Sequence, residues 1–247
     1  MLAEQRHFLI LDSVERAGSV SVQELAEKLE ISESTIRRDL EKLDAQGRLV
    51  KVHGGATRLE RASVTRDLAV MERSVMNAQQ KDRIAAYAAS LVGPDDFVYI
   101  DAGTSTAAMV DHLMETDAIY VTDSVSLALR MVERGLNVIV LGGELKGATQ
   151  ALVGPDALDS LARYNFSIGF WGTNGATIEQ GFTTPDRSEA VVKRISMKHT
   201  NRRYVLADAT KLGAVASVTF ADFCDATILT DSVPEAFSTC ENVMEVA

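Results

Sequence analysis

Two different spacings of apolar residues divide this chain. Up to about residue 57 the apolar positions recur at helical intervals. Phe8, Leu11 and Val14 give an inward edge to a helix over residues 7–16. After a break at Gly18, Val22, Leu25, Ala26 and Leu29 mark a second helix. Ile36, Leu40 and Leu43, at i, i+4 and i+7, give a third helix one buried stripe. Beyond Gly47 the run Arg48–Val52 is strand-like and ends at His53-Gly54-Gly55, where glycines permit a tight turn. From Asn77 the pattern changes to short apolar runs at 97–100, 119–121, 138–141, 168–171, 204–206 and 227–229. Helical stretches fall between many of them (around Ile84–Leu91 and over 106–114, 126–134 and 188–199). Strands alternating with helices imply an α/β domain with a mostly parallel sheet. The predicted domains are therefore 1–57, a connector at 58–76 whose charges alternate in sign, and 77–247.

The face opposite the stripe of the third helix carries chemistry. Ser32 is suited to cap the helix by accepting a hydrogen bond from a first-turn amide. Around the outer face stand Ser34, Thr35, Arg38 and Lys42, with Arg37 on the flank. Arginine grips guanine or phosphate with two bonds, and serine and threonine adapt to either, so the helix suits a DNA major groove. A merely solvated surface helix has the same pattern, and the neighbouring elements decide between them. Two short helices joined by a tight turn, followed by a small basic wing with Lys51 and His53, make a winged helix-turn-helix.

The run Thr35-Ile36-Arg37-Arg38-Asp39-Leu40, followed by His53-Gly54-Gly55-Ala56, resembles the winged helix of the DeoR family of bacterial transcription regulators. The resemblance implies a sequence-specific DNA-binding regulator with a sugar-phosphate sensor.

A net charge of −10 argues against nucleic acid until it is divided. Residues 1–61 hold 10 Lys+Arg against 11 Asp+Glu, and the remainder 15 against 24. Within 37–61 seven basic groups face four acids, so the recognition helix and wing are locally positive. Salt screens the acidic remainder over ~8–10 Å, so local charge governs phosphate contact. One weakly basic module binds weakly, which calls for a homodimer or homotetramer reading repeated half-sites. No apolar run approaches the ~18 residues of a membrane span, and two cysteines without CxxC spacing fit a reduced cytoplasm. Cys224 is expected to be a buried structural thiol. Four scattered histidines lack ligand spacing, and neither metal nor cofactor is expected.

In a parallel sheet, ligands sit beyond the carboxyl ends of the strands. The polar punctuation falls there. Asp101-Ala102-Gly103-Thr104-Ser105-Thr106 follows the first run, Thr122-Asp123-Ser124 the second and Gly142-Gly143-Glu144 the third. Gly172-Thr173-Asn174-Gly175 and Asp208-Ala209-Thr210-Lys211 follow the next two. Hydroxyls, glycines and a lysine at consecutive strand ends fit a small phosphorylated polyol. Singly each is weak: Asp101 and Asp208 are equally well read as helix caps. Trp171 reads as core packing more readily than as a sugar platform.

The family resemblance extends over these segments and over Gly181–Asp186, Glu189 and Lys193. DeoR-type sensor domains are similar to ribose-5-phosphate isomerase and the coenzyme A transferases. The resemblance implies a phosphate seat at Thr104, Ser105 and Thr106, with Lys211 as cation. It places Asp101, Thr122, Glu144, Asp186 and Glu189 against sugar hydroxyls. The chain departs from the family pattern at Asp123, where asparagine is usual, and at Ser167, where aspartate is frequent. A carboxylate beside a phosphate would repel it unless compensated by Lys211 or solvent. The expected function is repression of a sugar or polyol catabolic operon, relieved by a phosphorylated sugar. Two alternatives stand beside it: a sugar-phosphate isomerase or acyl transferase using Glu189 or Asp186 as base, and a constitutive DNA binder whose large domain only oligomerises.

Overall fold

The computed structural model describes residues 3–29, 31–45, 49–52, 54–57, 63–64 and 76–246. The chain forms two units, residues 1–62 and 63–247. In the first, helices α1 (Ala3–Ala17), α2 (Val22–Leu29) and α3 (Glu33–Ala45) are joined by a three-stranded antiparallel sheet. Its strands β1 (Ser19–Ser21), β2 (Val50–Val52) and β3 (Gly55–Thr57) take the order β1-β3-β2. Strand β1 has too few residues to show a period, and the sequence pattern shows only the break at Gly18. Val14, Leu25, Ile36, Leu40 and Leu43 are buried together as the pattern predicts, but on α1 the core position is Ile10 and Leu11 is only partly buried. The wing depends on its glycines: Gly54 turns with φ of 89°, and a Cβ on Gly55 would lie 2.3 Å from the Val20 carbonyl oxygen. His53 lies outside the described residues.

One buried carboxylate fixes α3 against α1. Asp39 accepts from Arg6 Nε at 2.5 Å and Arg6 Nη2 at 3.1 Å, and lies 3.1 Å from His7 Nε2. Burial pushes the Asp39 carboxyl up, but hydrogen bonds from Arg6 and His7 outweigh this and hold it below the usual carboxylate range.

The second unit starts with β4 (Ser63–Val64), α4 (Ala78–Ser90), β5 (Phe97–Ile100), α5 (Thr104–Met109) and β6 (Ile119–Thr122). It continues with α6 (Val125–Glu133), β7 (Asn137–Val140), β8 (Glu144–Leu145), β9 (Leu152–Val153) and α7 (Pro155–Leu161). Then come β10 (Phe166–Gly172), β11 (Gly175–Thr177), β12 (Gly181–Thr184), α8 (Arg187–Lys198) and β13 (Thr200–Leu206). Strands β14 (Val215–Ala216), β15 (Val218–Ala221), β16 (Thr227–Thr230) and β17 (Val243–Glu245) complete it. Seven strands in the order β17-β16-β13-β10-β5-β6-β7 form one all-parallel sheet. Successive residues alternate between two cores, one on each face. Val98 and Ile100 pack with Ile84, Ala88 and Met131, whereas Tyr99 packs with Trp171, Ala190 and Phe220.

Six of the seven strands coincide with the predicted apolar runs; the seventh, β17, is short and half exposed. The three-stranded sheet β11-β12-β15 had no counterpart in the pattern, because its glycine- and threonine-rich strands of three or four residues show no period. Ser63–Val64, within the expected connector, pairs with Val215–Ala216; most of the connector lies outside the described residues. Trp171 is fully buried and donates to Ser196 Oγ at 2.9 Å. Gly169 makes room for it: a Cβ there would sit 2.4 Å from the indole. Cys224 is exposed rather than buried, because its turn (Phe223–Asp225) sends Phe223 into the core instead.

Replacing Asp39 by alanine leaves Arg6 and His7 without their partner. We expect a loss of roughly 3 kcal/mol from the first unit, the lower end for breaking a buried ion pair. Because the Asp39 carboxyl is depressed in the fold, its contribution is present at neutral pH and is lost as pH falls below about 4. Chemical denaturation of the full chain from pH 7 to pH 3 checks both: wild type should lose stability over that range, and Asp39→Ala should lose less.

Candidate functional site

In the first unit, α3 carries the expected groups outward. The Ser32 hydroxyl caps it, accepting weakly from the Thr35 amide at 3.4 Å, with the Ser32 carbonyl at 3.0 Å from the same amide. Ser32, Ser34, Arg37, Arg38 and Lys42 are exposed and Thr35 is half-buried. Arg37 pairs with Glu33 at 3.0 Å, but both side chains are 53% exposed, so the pair is worth only a few tenths of a kcal/mol and can be exchanged for a phosphate. Lys51 Nζ reaches Glu41 at 2.6 Å and its amide donates to Asp44, fastening the wing strand to α3. Arg38 and Lys42 make no hydrogen bond or ion pair among the described residues. The face therefore has two cations without a side-chain partner among the described residues, and hydroxyls of Ser32, Ser34 and Thr35 that bond one another, on a helix whose orientation Asp39 fixes.

In the second unit, the ends of β5, β10 and β13 converge with α4 and α8 around a pocket. Its wall takes Gly103, Thr104 and Ser105 from the β5–α5 loop and Thr173 and Asn174 from the end of β10. Glu189 on α8 and Lys211 after β13 complete the expected residues brought together here. The base is an ion pair that neither strand nor helix forms alone. Asp101, 1% exposed at the end of β5, contacts Lys193 Nζ of α8 through Oδ2 and accepts the Gly172 amide at 3.0 Å. Lys193 Nζ also donates to the Gly172 carbonyl at 3.2 Å, so three elements meet on one ammonium.

The other expected residues have different places. Thr106 is fully buried and its hydroxyl donates to the carbonyls of Asp101 and Gly103, shaping the loop from behind. Thr122, also buried, accepts the Ser124 amide. Gly142, Gly143 and Glu144 are exposed and outside the pocket wall; Gly143, at φ of 124°, brings its Cα against the Val153 carbonyl. Asp186 caps α8, accepting from the amides of Ser188 and Glu189, and holds Lys146 at 2.6 Å. Lys146 and Thr149 also reach Glu189, at 3.0 and 2.6 Å, so a loop between β8 and β9 fastens a wall residue.

Asp123 is 2% exposed and accepts the Ala102 amide at 2.7 Å. Burial raises both the Asp101 and Asp123 carboxyls. Lys193 and the Gly172 amide oppose this at Asp101, whereas Asp123 faces the charge of Asp101 and is pushed up to about 8. Asp123 is thereby shifted towards its neutral form, and it is not part of the pocket wall, so it repels an anion there less than an ionised wall carboxylate would. The Tyr99 hydroxyl, buried and without a hydrogen-bond partner, is likewise pushed well up by burial and by these two carboxyls. Ser167 lies at the other end of its strand, donating to Asp96 at 2.6 Å and accepting the Phe97 amide.

Seven wall residues were not among the expected contacts: Met76, Asn77, Lys81, Ala102, Gly172, Lys193 and Asp208. Two carried a readable signal. Lys81 precedes Ile84, Ala85 and Ala88 on the apolar face of α4, and Lys193 shares the inner face of α8 with Ala190 and Met197. A lysine on a buried stripe is buried for a reason.

The DeoR-like helix-turn-helix domain matches residues 6–62, and the DeoR C terminal sensor domain matches residues 76–232. The chain belongs to the DeoR family. The uncharacterized HTH-type transcriptional regulator FruR of Bacillus subtilis is 41% identical over 95% of this chain and 93% of its own length. The HTH-type transcriptional regulator GlpR of Haloferax volcanii is 35% identical over 90% and 86%. A lactose phosphotransferase system repressor of Staphylococcus epidermidis is 29% identical over 86% and 84%. Ribose 5-phosphate isomerase A of Methanocaldococcus jannaschii has a TM-score of 0.40 and 15% identity over 55% of both chains, a likeness too distant to inform chemistry. This DeoR-family protein is a DNA-binding transcriptional regulator and not an enzyme. Among its described residues no helix is long and apolar enough to cross a membrane.

The Asp123 carboxyl, raised in the fold, stabilises it fully at low pH; this contribution is lost as pH rises from about 4 through 8. Asparagine keeps the acceptor for Ala102 and removes the ionisation. Asp123→Asn should therefore melt higher than wild type at pH 8 and show a flatter profile from pH 5 to 8 in thermal-shift measurements.

Proposed function

We propose that this regulator represses genes for uptake or breakdown of a sugar or polyol and leaves its operator when a phosphorylated form of that compound fills the second unit's pocket. The observation that carries the reading is the combination of an Arg38 side chain without a hydrogen bond or ion pair among the described residues, on a clamped, outward-facing helix, with a pocket holding Lys211 beside hydroxyls and amides. Arg37, Arg38, Thr35, Ser34 and Ser32 read the major groove, while Lys42, Lys51 and His53 contact phosphates. Lys211, Thr104 and Ser105 hold the phosphate, with Glu189, Thr173 and Asn174 facing the sugar. The relatives' names, a lactose phosphotransferase system repressor and a putative aga operon transcriptional repressor of Escherichia coli O157:H7, support a sugar effector.

The protein works on cytoplasmic DNA as a homodimer or larger homo-oligomer, because one winged helix with so small a local positive charge holds phosphate weakly. Release follows from linkage: effector and DNA favour different arrangements, so each lowers the other's affinity, typically ~5–150-fold.

Titration of the full chain onto its own promoter fragment tests the DNA half. Arg38→Ala should weaken specific binding by about 1–3 kcal/mol and relax sequence preference at one base pair; unchanged specific affinity would refute the groove assignment. The same titration with a panel of phosphorylated sugars tests the other half. One member should lower operator affinity in wild type and fail to do so in Lys211→Ala. If no phosphorylated sugar binds by calorimetry, the pocket serves only the domain's own architecture.

A further inference from the structure

Among the carboxyls in and beneath the pocket, Asp208 stands apart. Asp101 is paired with Lys193 and the Gly172 amide, and Glu189 accepts from Lys146 and Thr149. Asp208, 1% exposed in the pocket wall, has one oxygen saturated and one bare. Its Oδ1 accepts the Thr210 amide at 3.1 Å, the Thr210 hydroxyl, and the Asn77 side-chain amide at 3.0 Å. These three bonds fix the carboxyl's orientation. Its Oδ2 is buried and has no hydrogen-bond partner among the described residues. Buried carboxyl oxygens are almost always paired, so an orphan in the wall of a pocket marks a place for a donor that arrives with the ligand.

One turn further on, Lys211 lines the same pocket, and its ammonium makes no hydrogen bond or ion pair among the described residues. A single short turn thus offers an unused acceptor and an unused cation. A phosphate oxygen against Asp208 Oδ2 would be acceptor against acceptor, so the polarity is set: anion towards Lys211, donor towards Asp208.

We propose that Asp208 Oδ2 is the specificity-determining contact of the pocket and accepts a hydrogen bond from a ligand hydroxyl close to the phosphate ester. The ligand class is then a hydroxylated phosphate ester, a polyol or sugar phosphate, and an alkyl phosphate of the same size is rejected. This rests on the phosphate-binding reading of the pocket given above. A site whose buried acceptor stays unpaired discriminates strongly against the analogue lacking the donor.

Isothermal titration of the full-length protein with glycerol 3-phosphate and n-propyl phosphate tests it, because the two differ only in their hydroxyls. Wild type should prefer glycerol 3-phosphate by roughly 10- to 100-fold, the effect of one hydrogen bond to a charged group. Asp208→Asn keeps an acceptor for Thr210 and Asn77 but presents an amide NH₂ in place of Oδ2. That variant should bind n-propyl phosphate like wild type and show a smaller preference, because the ligand hydroxyl can only accept a neutral bond from the amide. Equal binding of the two esters by wild type overturns the proposal without recourse to any variant, as does an undiminished preference in Asp208→Asn. If neither ester nor inorganic phosphate binds wild type, the phosphate reading itself fails, a result distinguishable from loss of hydroxyl selectivity alone. A preference for 2-aminoethyl phosphate over both esters would replace the hydroxyl by an ammonium and overturn the ligand class.

Discussion

The contact between Asp101 and Lys193 is what the ligand pocket depends on. It joins the end of β5 to α8 and, through the Gly172 amide and carbonyl, to the end of β10. Charges this deeply buried are stable only when paired and fully hydrogen-bonded, so neither partner can leave without stranding the other. The pair therefore holds the β5–α5 loop, the β10 end and the inner face of α8 in one arrangement. It also bears on Asp123, whose carboxyl is raised first by burial and then by the charge of Asp101.

The first unit uses the same device at smaller scale. Asp39 sits in the middle of the recognition helix yet faces inward, where Arg6 and His7 hold it. Its neighbours Arg37 and Arg38 face out. In the run Arg37-Arg38-Asp39 the two basic residues are for the groove and the acidic one is for the fold. In each unit a buried carboxyl positions the functional side chains and touches none of the proposed ligands itself. Mutation of either aspartate should disturb binding through geometry, which separates such residues from direct contacts like Arg38 or Lys211.

The polar strand ends expected to share one site divide on inspection into three kinds of work. Gly103, Thr104, Ser105, Thr173, Asn174, Glu189 and Lys211 line the pocket. Thr106, Thr122 and Asp123 lie behind it, satisfying backbone groups that the loops leave bare. Glu144 and its glycines belong to a separate hairpin, and Asp186 to a helix cap that also anchors Lys146. Threonine and aspartate serve all three purposes, so their position at a strand end does not tell which they do.

Local pattern alone determined the three helices of the first unit and six of the seven strands of the large sheet. The stripe Ile36, Leu40, Leu43 and the alternating apolar runs are periodic, and a period survives in one dimension. The division into two units and the family follow from such runs and from short motifs like Thr35–Leu40 with His53–Ala56. What local pattern did not contain were pairings across long separations: Asp101 with Lys193, Asp39 with Arg6, Asn77 with Asp208, and the small sheet β11-β12-β15. Each joins residues whose own neighbourhoods are unremarkable, and each is decided by burial, which only the packed chain defines. That is why Asp208 reads as a mere cap in sequence, while in the folded protein it is a carboxyl with one oxygen left over.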